Sequence, residues 1–124
     1  MAEAKTNVLI IEDNPLNMTL EADLLQMAGF NVSKAACAKE ALEALQGAAP
    51  DLIILDIRLP DMDGFELFAK IRQDKKLAAV KVAAVTASAM KEDEEKIKSL
   101  GFDAFIAKPI DIKNFARQIS GLLT

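Results

Sequence analysis

Short, uninterrupted apolar runs recur along this chain, and each stops at polar or turn-forming residues. Val8-Leu9-Ile10-Ile11 ends at Glu12-Asp13-Asn14-Pro15, and Leu52-Ile53-Ile54-Leu55 ends at Asp56. Runs of this length with such borders read as buried strands. The segments between them change to a helical period. After Asn14 as a cap and Pro15 at a first helical position, Leu16, Leu20, Leu24 and Met27 recur at helical spacing, and Gly29 closes that helix. Asn31 to Ala35 reads as a second strand; Ala41, Leu42 and Leu45 mark a second helix that ends near Gly47.

The scheme then repeats. Leu59-Pro60-Asp61-Met62-Asp63-Gly64 is a loop of turn formers, and Phe65, Phe68 and Ile71 follow at helical spacing. Lys81 to Thr86 is a fourth strand. Lys91 to Leu100 is a fourth helix, strongly charged, with Ile97 and Leu100 as its few apolar anchors, so it is expected to be loosely held. Ala104 to Ala107 is a fifth strand, followed by Lys108-Pro109; Ile112, Phe115, Ile119 and Leu122 define the last helix. Strand followed by helix, five times over, implies a parallel sheet with helices on both faces. At 124 residues the chain fits one domain, spanning 1–124. Its last helix reaches the terminus, so no output domain is expected.

Composition narrows the chemistry. The chain has no His, which excludes Ser-His-Asp and Cys-His sites and removes the usual zinc ligands. One Cys excludes an internal disulfide framework and fits the cytoplasm. Cys37 itself reads as a small buried residue without electropositive sequence neighbours to activate it. A net charge of −4 argues against nucleic acid as a partner. No apolar run approaches the ~20 residues of a membrane span, and the polar start does not resemble a secretion signal.

In an open parallel sheet, ligands bind at the carboxyl ends of the strands. Those ends carry Glu12 and Asp13 after the first strand, Asp56 after the third, Thr86 at the fourth and Lys108 after the fifth. Each residue alone has an ordinary explanation. Acids favour helix starts, an Asp after a strand is usually a turn residue, Thr is common in strands, and most lysines are solvated. Their joint placement on one sheet edge is harder to explain that way. Carboxylates 4 Å apart repel by roughly 4 kcal/mol per pair at an effective dielectric of ~20. Such a pocket calls for a cation, and all-oxygen ligands suit Mg²⁺. A carboxylate there can act as a nucleophile toward phosphorus, with Lys and Thr holding the phosphoryl oxygens.

These motifs resemble the receiver domain of two-component response regulators over the whole chain. The likeness is carried by Ile11-Glu12-Asp13-Asn14, Pro50 to Asp56, Leu59 to Gly64, Val85-Thr86-Ala87 and Lys108-Pro109. The stretches Glu12 to Met18 and Ala87 to Lys96 look like stand-alone, DivK-type cell-cycle regulators, and receivers of hybrid histidine kinases carry similar stretches. The resemblance implies a flavodoxin-like (βα)5 doubly wound parallel sheet of strand order 2-1-3-4-5. It implies phosphorelay signalling rather than turnover of a separate substrate, with catalysis limited to the domain's own phosphorylation and dephosphorylation. Asp56 would be the phosphoacceptor. Mg²⁺ would be held by Asp13, Asp56 and the backbone carbonyl of Arg58, and by Glu12 through water. Thr86 and Lys108 would contact the phosphoryl group, and Phe105 would swing inward with Thr86. Arg58 and Ser88 stand at positions that tune phosphoryl lifetime, and the Lys108-Pro109 bond would be cis. Partners would be a histidine kinase or histidine phosphotransferase and a downstream kinase or adaptor protein, without nucleic acid or membrane insertion. The kinase or phosphotransferase would dock near Pro15 to Met18.

Other readings fit less well. A haloacid-dehalogenase-type phosphatase wants a second acid two residues after its nucleophile, where this chain has Arg58. A flavodoxin-like cofactor module wants a Ser/Thr/Gly-rich phosphate loop after the first strand, where Glu12-Asp13 would repel phosphate. A receiver that only binds partners would not need the full acid, Thr and Lys set. A receiver excised from a hybrid histidine kinase, acting mainly as a phosphate shuttle, stays open.

Overall fold

Side-chain alternation along β1 (Asn7–Ile11) decides how the layers stack. Val8 and Ile10 face one side of the sheet and Leu9 and Ile11 the other, and all four are buried. A strand buried on both faces needs a helical layer on each. The computed structural model describes residues 6–87 and 91–123 and shows both layers. The strands β2 (Asn31–Ala35), β3 (Leu52–Asp56), β4 (Lys81–Thr86) and β5 (Ala104–Ala107) complete one sheet in the order β2-β1-β3-β4-β5, every neighbour parallel. Helices α1 (Pro15–Met27) and α5 (Phe115–Leu122) cover the Val8/Ile10 face. Helices α2 (Ala38–Leu45), α3 (Gly64–Gln73) and α4 (Lys91–Leu100) lie on the other side. A single 3₁₀ turn, Lys75–Leu77, which the sequence pattern does not announce, follows α3.

The chain leaves β1 toward β2 and then returns past β1 to β3. That reversal opens a crevice at the carboxyl ends of β1 and β3. Val8 pairs with Leu52 and Ile11 with Leu55, so Glu12 and Asp56 leave the sheet side by side.

Three expectations change. In α1 the row facing the sheet is Met18, Glu21, Ala22 and Leu25; of the expected row, Leu20 and Leu24 are half-buried at its flank, whereas Leu16 and Met27 are 82% and 84% exposed. The apolar row read from the sequence and the true buried row both have helical spacing. Only the docking angle of the helix chooses between them, and it buries a carboxyl group. Second, Ile112 precedes α5 and is 62% exposed. Asp111 turns the chain there: its carboxylate accepts from the Lys113 amide and the Asn114 side chain, and its carbonyl from the Phe115 amide. Third, Leu100 is 46% exposed, which leaves Ile97 as the buried residue among the described side chains of α4. Cys37 is half-buried at the start of α2.

A candidate phosphoacceptor and cation site

Three strands deliver the acids and the base to one place. Glu12 follows β1, Asp56 ends β3, and Lys108 follows β5. The lysine is aimed by its own backbone, whose amide donates to the Thr86 carbonyl at the end of β4 (2.9 Å). The peptide bond after it, Lys108–Pro109, is cis. Lys108 Nζ stands 3.0 Å from Asp56 Oδ2 and 2.7 Å from Glu12 Oε1. The second oxygens are also held: Asp56 Oδ1 accepts from the Arg58 amide (3.0 Å) and Glu12 Oε2 from the Asn14 amide (3.2 Å). Asn14 in turn caps α1, its side chain accepting from the Leu16 and Asn17 amides.

Glu12, Asp56 and Thr86 are buried, while Asp13 is exposed at the rim. One oxygen from each of Glu12, Asp13 and Asp56 lies within 4.8 Å of the others. Burial, and then Asp56, push the Glu12 carboxyl above the ordinary carboxylate range against the pull of Lys108. Burial pulls Lys108 down, but Glu12 and Asp56 more than offset it, so its ammonium is held above the ordinary lysine range. One ammonium thus serves several acids in a partly desolvated pocket. Hard carboxylate oxygens, with one acid open to solvent, suit a Mg²⁺ ion that keeps part of its water shell.

A fourth acid escapes the sequence reading. Glu21, on the sheet-facing row of α1, is 1% exposed, and its Oε2 has no hydrogen-bond partner among the described residues. Burial, and next the charge of Glu12, push its carboxyl up to about 8. The signal that could have found it is a glutamate interrupting a helical row of Met18, Ala22 and Leu25.

The remaining expected residues take these places. Thr86 is buried at the end of β4 and lines a cavity of about 380 Å³ together with Arg58, Phe65, Asp93 and Ile97. Phe105 is half-buried on β5, in register with Ala84 two residues before Thr86. The Arg58 side chain is exposed, and the residue forms an isolated bridge with Asp63. Ser88 lies outside the described residues. Gly64 closes the loop after β3: its amide donates to the Ile57 carbonyl (2.9 Å), and a Cβ there would lie 2.6 Å from Ile57 backbone atoms. On the outer side of the site, Pro15, Met18, Thr19, Lys34 and Glu40 help Glu12 and Asp13 line a second cavity of about 320 Å³.

Comparison with known proteins agrees with this geometry. Residues 8–120 match the family model of the response regulator receiver domain. The polar-differentiation response regulator DivK of Brucella ovis is 41% identical over 117 residues, which is 94% of this chain and 95% of that protein. The chemotaxis response regulator CheY4 of Vibrio cholerae superposes with a TM-score of 0.90 at 27% identity, covering 97% of this chain and all of that one (100%). The receiver domain of a sensor histidine kinase of Pseudomonas aeruginosa gives a TM-score of 0.87 at 29% identity over 97% of this chain and 98% of that one; its structure is described with a magnesium ion coordinated in the active site cleft.

Proposed function

This chain belongs to the response regulator receiver domain family, and from that premise we propose that Asp56 is its phosphoacceptor in a phosphorelay. The observation that carries the assignment is the position of the Asp56 carboxylate. It is buried in the crevice between β1 and β3, its two oxygens held by Lys108 Nζ and the Arg58 amide and its neighbours the acids Glu12 and Asp13.

In the proposed step an Asp56 carboxylate oxygen attacks the phosphorus of a phosphohistidine. The bond from phosphorus to the imidazole nitrogen breaks, and the imidazole leaves to be protonated by solvent. This chain has no His of its own, so its donor is the phosphohistidine of a histidine kinase or histidine phosphotransferase, or a small phosphodonor. Asp13, Asp56 and the Arg58 carbonyl would hold Mg²⁺, with Glu12 acting through water. When bound, the ion neutralises charge on the transferred phosphoryl group. Lys108 then exchanges its carboxylate partners for a phosphoryl oxygen, and the Thr86 hydroxyl takes another. Dephosphorylation is a separate step: water attacks the same phosphorus, the bond from phosphorus to the Asp56 oxygen breaks, and inorganic phosphate leaves, restoring the Asp56 carboxylate. Catalysis is confined to this self-directed pair of reactions. Arg58 and Ser88 set how readily water enters.

The signal is a population shift. A phosphoryl group moves an equilibrium only through contacts that differ between the two states. Thr86 and Lys108 supply them, Phe105 follows Thr86 inward, and the α4–β5–α5 face presents the result to a downstream kinase or adaptor. The likeness to DivK supports a cell-cycle role for a single-domain protein that acts in the cytoplasm by contact. Among the described residues no helix is long and apolar enough to cross a membrane. A phosphatase of the haloacid-dehalogenase type is not favoured, since exposed Arg58 occupies the place of its second acid.

The direct test is labelling. With a phosphodonor and Mg²⁺, wild-type protein should acquire acid-labile phosphate, and Asp56→Asn should acquire none; retained labelling moves the acceptor elsewhere.

A further inference from the structure

Helix α2 starts without a cap of its own. Cys37 occupies the N-cap position in an extended conformation and makes no side-chain hydrogen bond to the helix. The first amides of a helix still need acceptors. Here they find them in a different part of the chain: Asp61 Oδ1 accepts from the Ala38 amide (2.9 Å) and Oδ2 from the Lys39 amide (3.0 Å). Asp61 is exposed and could point both oxygens into water, yet both are spent on α2. The Ala38 and Lys39 amides hold its carboxyl below the ordinary carboxylate range.

Asp61 lies in the loop that joins Asp56 to α3, the loop that carries Arg58. Near its ends this loop is tied within its own unit. The Arg58 amide donates to Asp56, Gly64 closes on Ile57, and the Asp63 side chain caps α3 through the Phe65 amide. Asp61 extends the fastening across to α2, which begins just past the carboxyl end of β2.

We propose that Asp61 is a positioning residue: by capping α2 from within the phosphoacceptor loop, it fixes the place of the Arg58 carbonyl and so sets the Mg²⁺ affinity of the site. The inference rests on the reading of that carbonyl as a metal ligand. Coupling of this kind is reciprocal, so Mg²⁺ binding also tightens the start of α2. Groups that orient metal ligands typically change metal affinity by 10- to 100-fold when removed.

Helix capping and loop positioning can be separated. In Cys37→Ser the N-cap gains a local acceptor, with Glu40 three residues on; Glu40 Oε1 already accepts from the Ala36 amide (2.8 Å). That gives α2 the Ser-x-x-Glu pattern of a capping box without Asp61, with Glu40 reaching the amide one residue before the N-cap. Mg²⁺ is titrated into ¹⁵N-labelled full chain and read from amide chemical shifts, with melting temperatures measured in parallel. Asp61→Ala should weaken Mg²⁺ by about tenfold and lower the melting temperature. Asp61→Asn, which keeps one acceptor oxygen, should fall between it and wild type. Cys37→Ser combined with Asp61→Ala should recover the melting temperature but not the Mg²⁺ affinity. If affinity is unchanged in Asp61→Ala, or returns together with the melting temperature in the double variant, Asp61 is a helix cap and nothing more. Asp13→Asn is the control for the underlying reading. Mg²⁺ binding lost there but intact in Asp61→Ala overturns only the positioning role. Mg²⁺ binding intact in Asp13→Asn overturns the metal site itself.

Discussion

Helices α1 and α4 flank the same carboxyl edge of the sheet from opposite faces, and they treat charge in opposite ways. Helix α1 buries a carboxyl, Glu21, among Met18, Ala22 and Leu25, directly behind the acids of the site. Helix α4 carries seven charged residues in ten, and among its described side chains only Ile97 is buried, the charged ones being exposed or half-exposed. A surface contact, Lys96 Nζ over the Phe65 ring at 4.1 Å, links this helix to α3, while the exposed pair between Lys98 and Glu94 (3.1 Å) lies within the helix itself. Such exposed pairs contribute little in water. The α1 side is therefore electrostatically loaded, because its acids have lost their water and their ionisation depends on one another and on Lys108. The α4 side is held weakly enough to move. A site that gains a dianionic group needs the first property to feel it and the second to report it.

The largest effect tests the loaded side. Lys108→Ala removes the ammonium that serves Glu12 and Asp56 together. Taking one partner from a buried charged set typically costs about 3–5 kcal/mol, so the variant should unfold at markedly lower denaturant in Mg²⁺-free buffer at neutral pH. It should still take up some phosphate yet fail to change conformation; wild-type-like changes in the amide spectrum on phosphorylation would contradict the role of Lys108.

Next is the pH dependence. The native state holds the Glu21 proton up to about pH 8, whereas in the unfolded chain the group ionises near its ordinary value of 4.5. Between these values the native state binds more protons, so stability falls as pH rises through that window and levels off above it. Burial of Glu12 adds in the same direction. The loss attributable to Glu21 over the whole window is of order 5 kcal/mol, because a tenfold change in proton affinity is worth about 1.4 kcal/mol. Chemical denaturation of Glu21→Gln in Mg²⁺-free buffer should show a shallower decline from pH 5 to 8. A slope equal to wild type would mean that the carboxyl is not confined as the fold indicates.

The smallest effect tests the loose side. Lys96→Met removes the cation from the Phe65 ring, an interaction worth about 0.5–1 kcal/mol at an exposed position. Global stability should barely change, but amide exchange should rise in α4 and not in α1. Equal protection of the two helices in wild type would remove the contrast altogether.

The strands β1 and β3 were legible because each is an apolar run that stops at a polar residue or turn former. Asn31–Ala35, Lys81–Thr86 and Ala104–Ala107 have the bounds expected from pattern alone. The acid, hydroxyl and amine ends of those strands could be read for the same reason. The α1 face was legible only in part: Leu20 and Leu24 do pack against the core, but the deeper row of Met18, Glu21, Ala22 and Leu25 fits the same period, and hydropathy discounts a row that contains a glutamate. The partner of Asp61 could not be read at all, since its hydrogen bonds reach back to residues 38 and 39.

The amino-acid order by itself therefore determined the parallel α/β layering and which chemistry sits at the carboxyl edge, because burial periodicity and turn residues act over a few neighbours. Tertiary structure alone decided what surrounds those groups. It put Glu21 behind Glu12, set Lys108 between two carboxylates, and laid Asp61 on α2. These are contacts between distant segments, and their strength depends on how much water the assembled fold excludes, a quantity no local pattern carries.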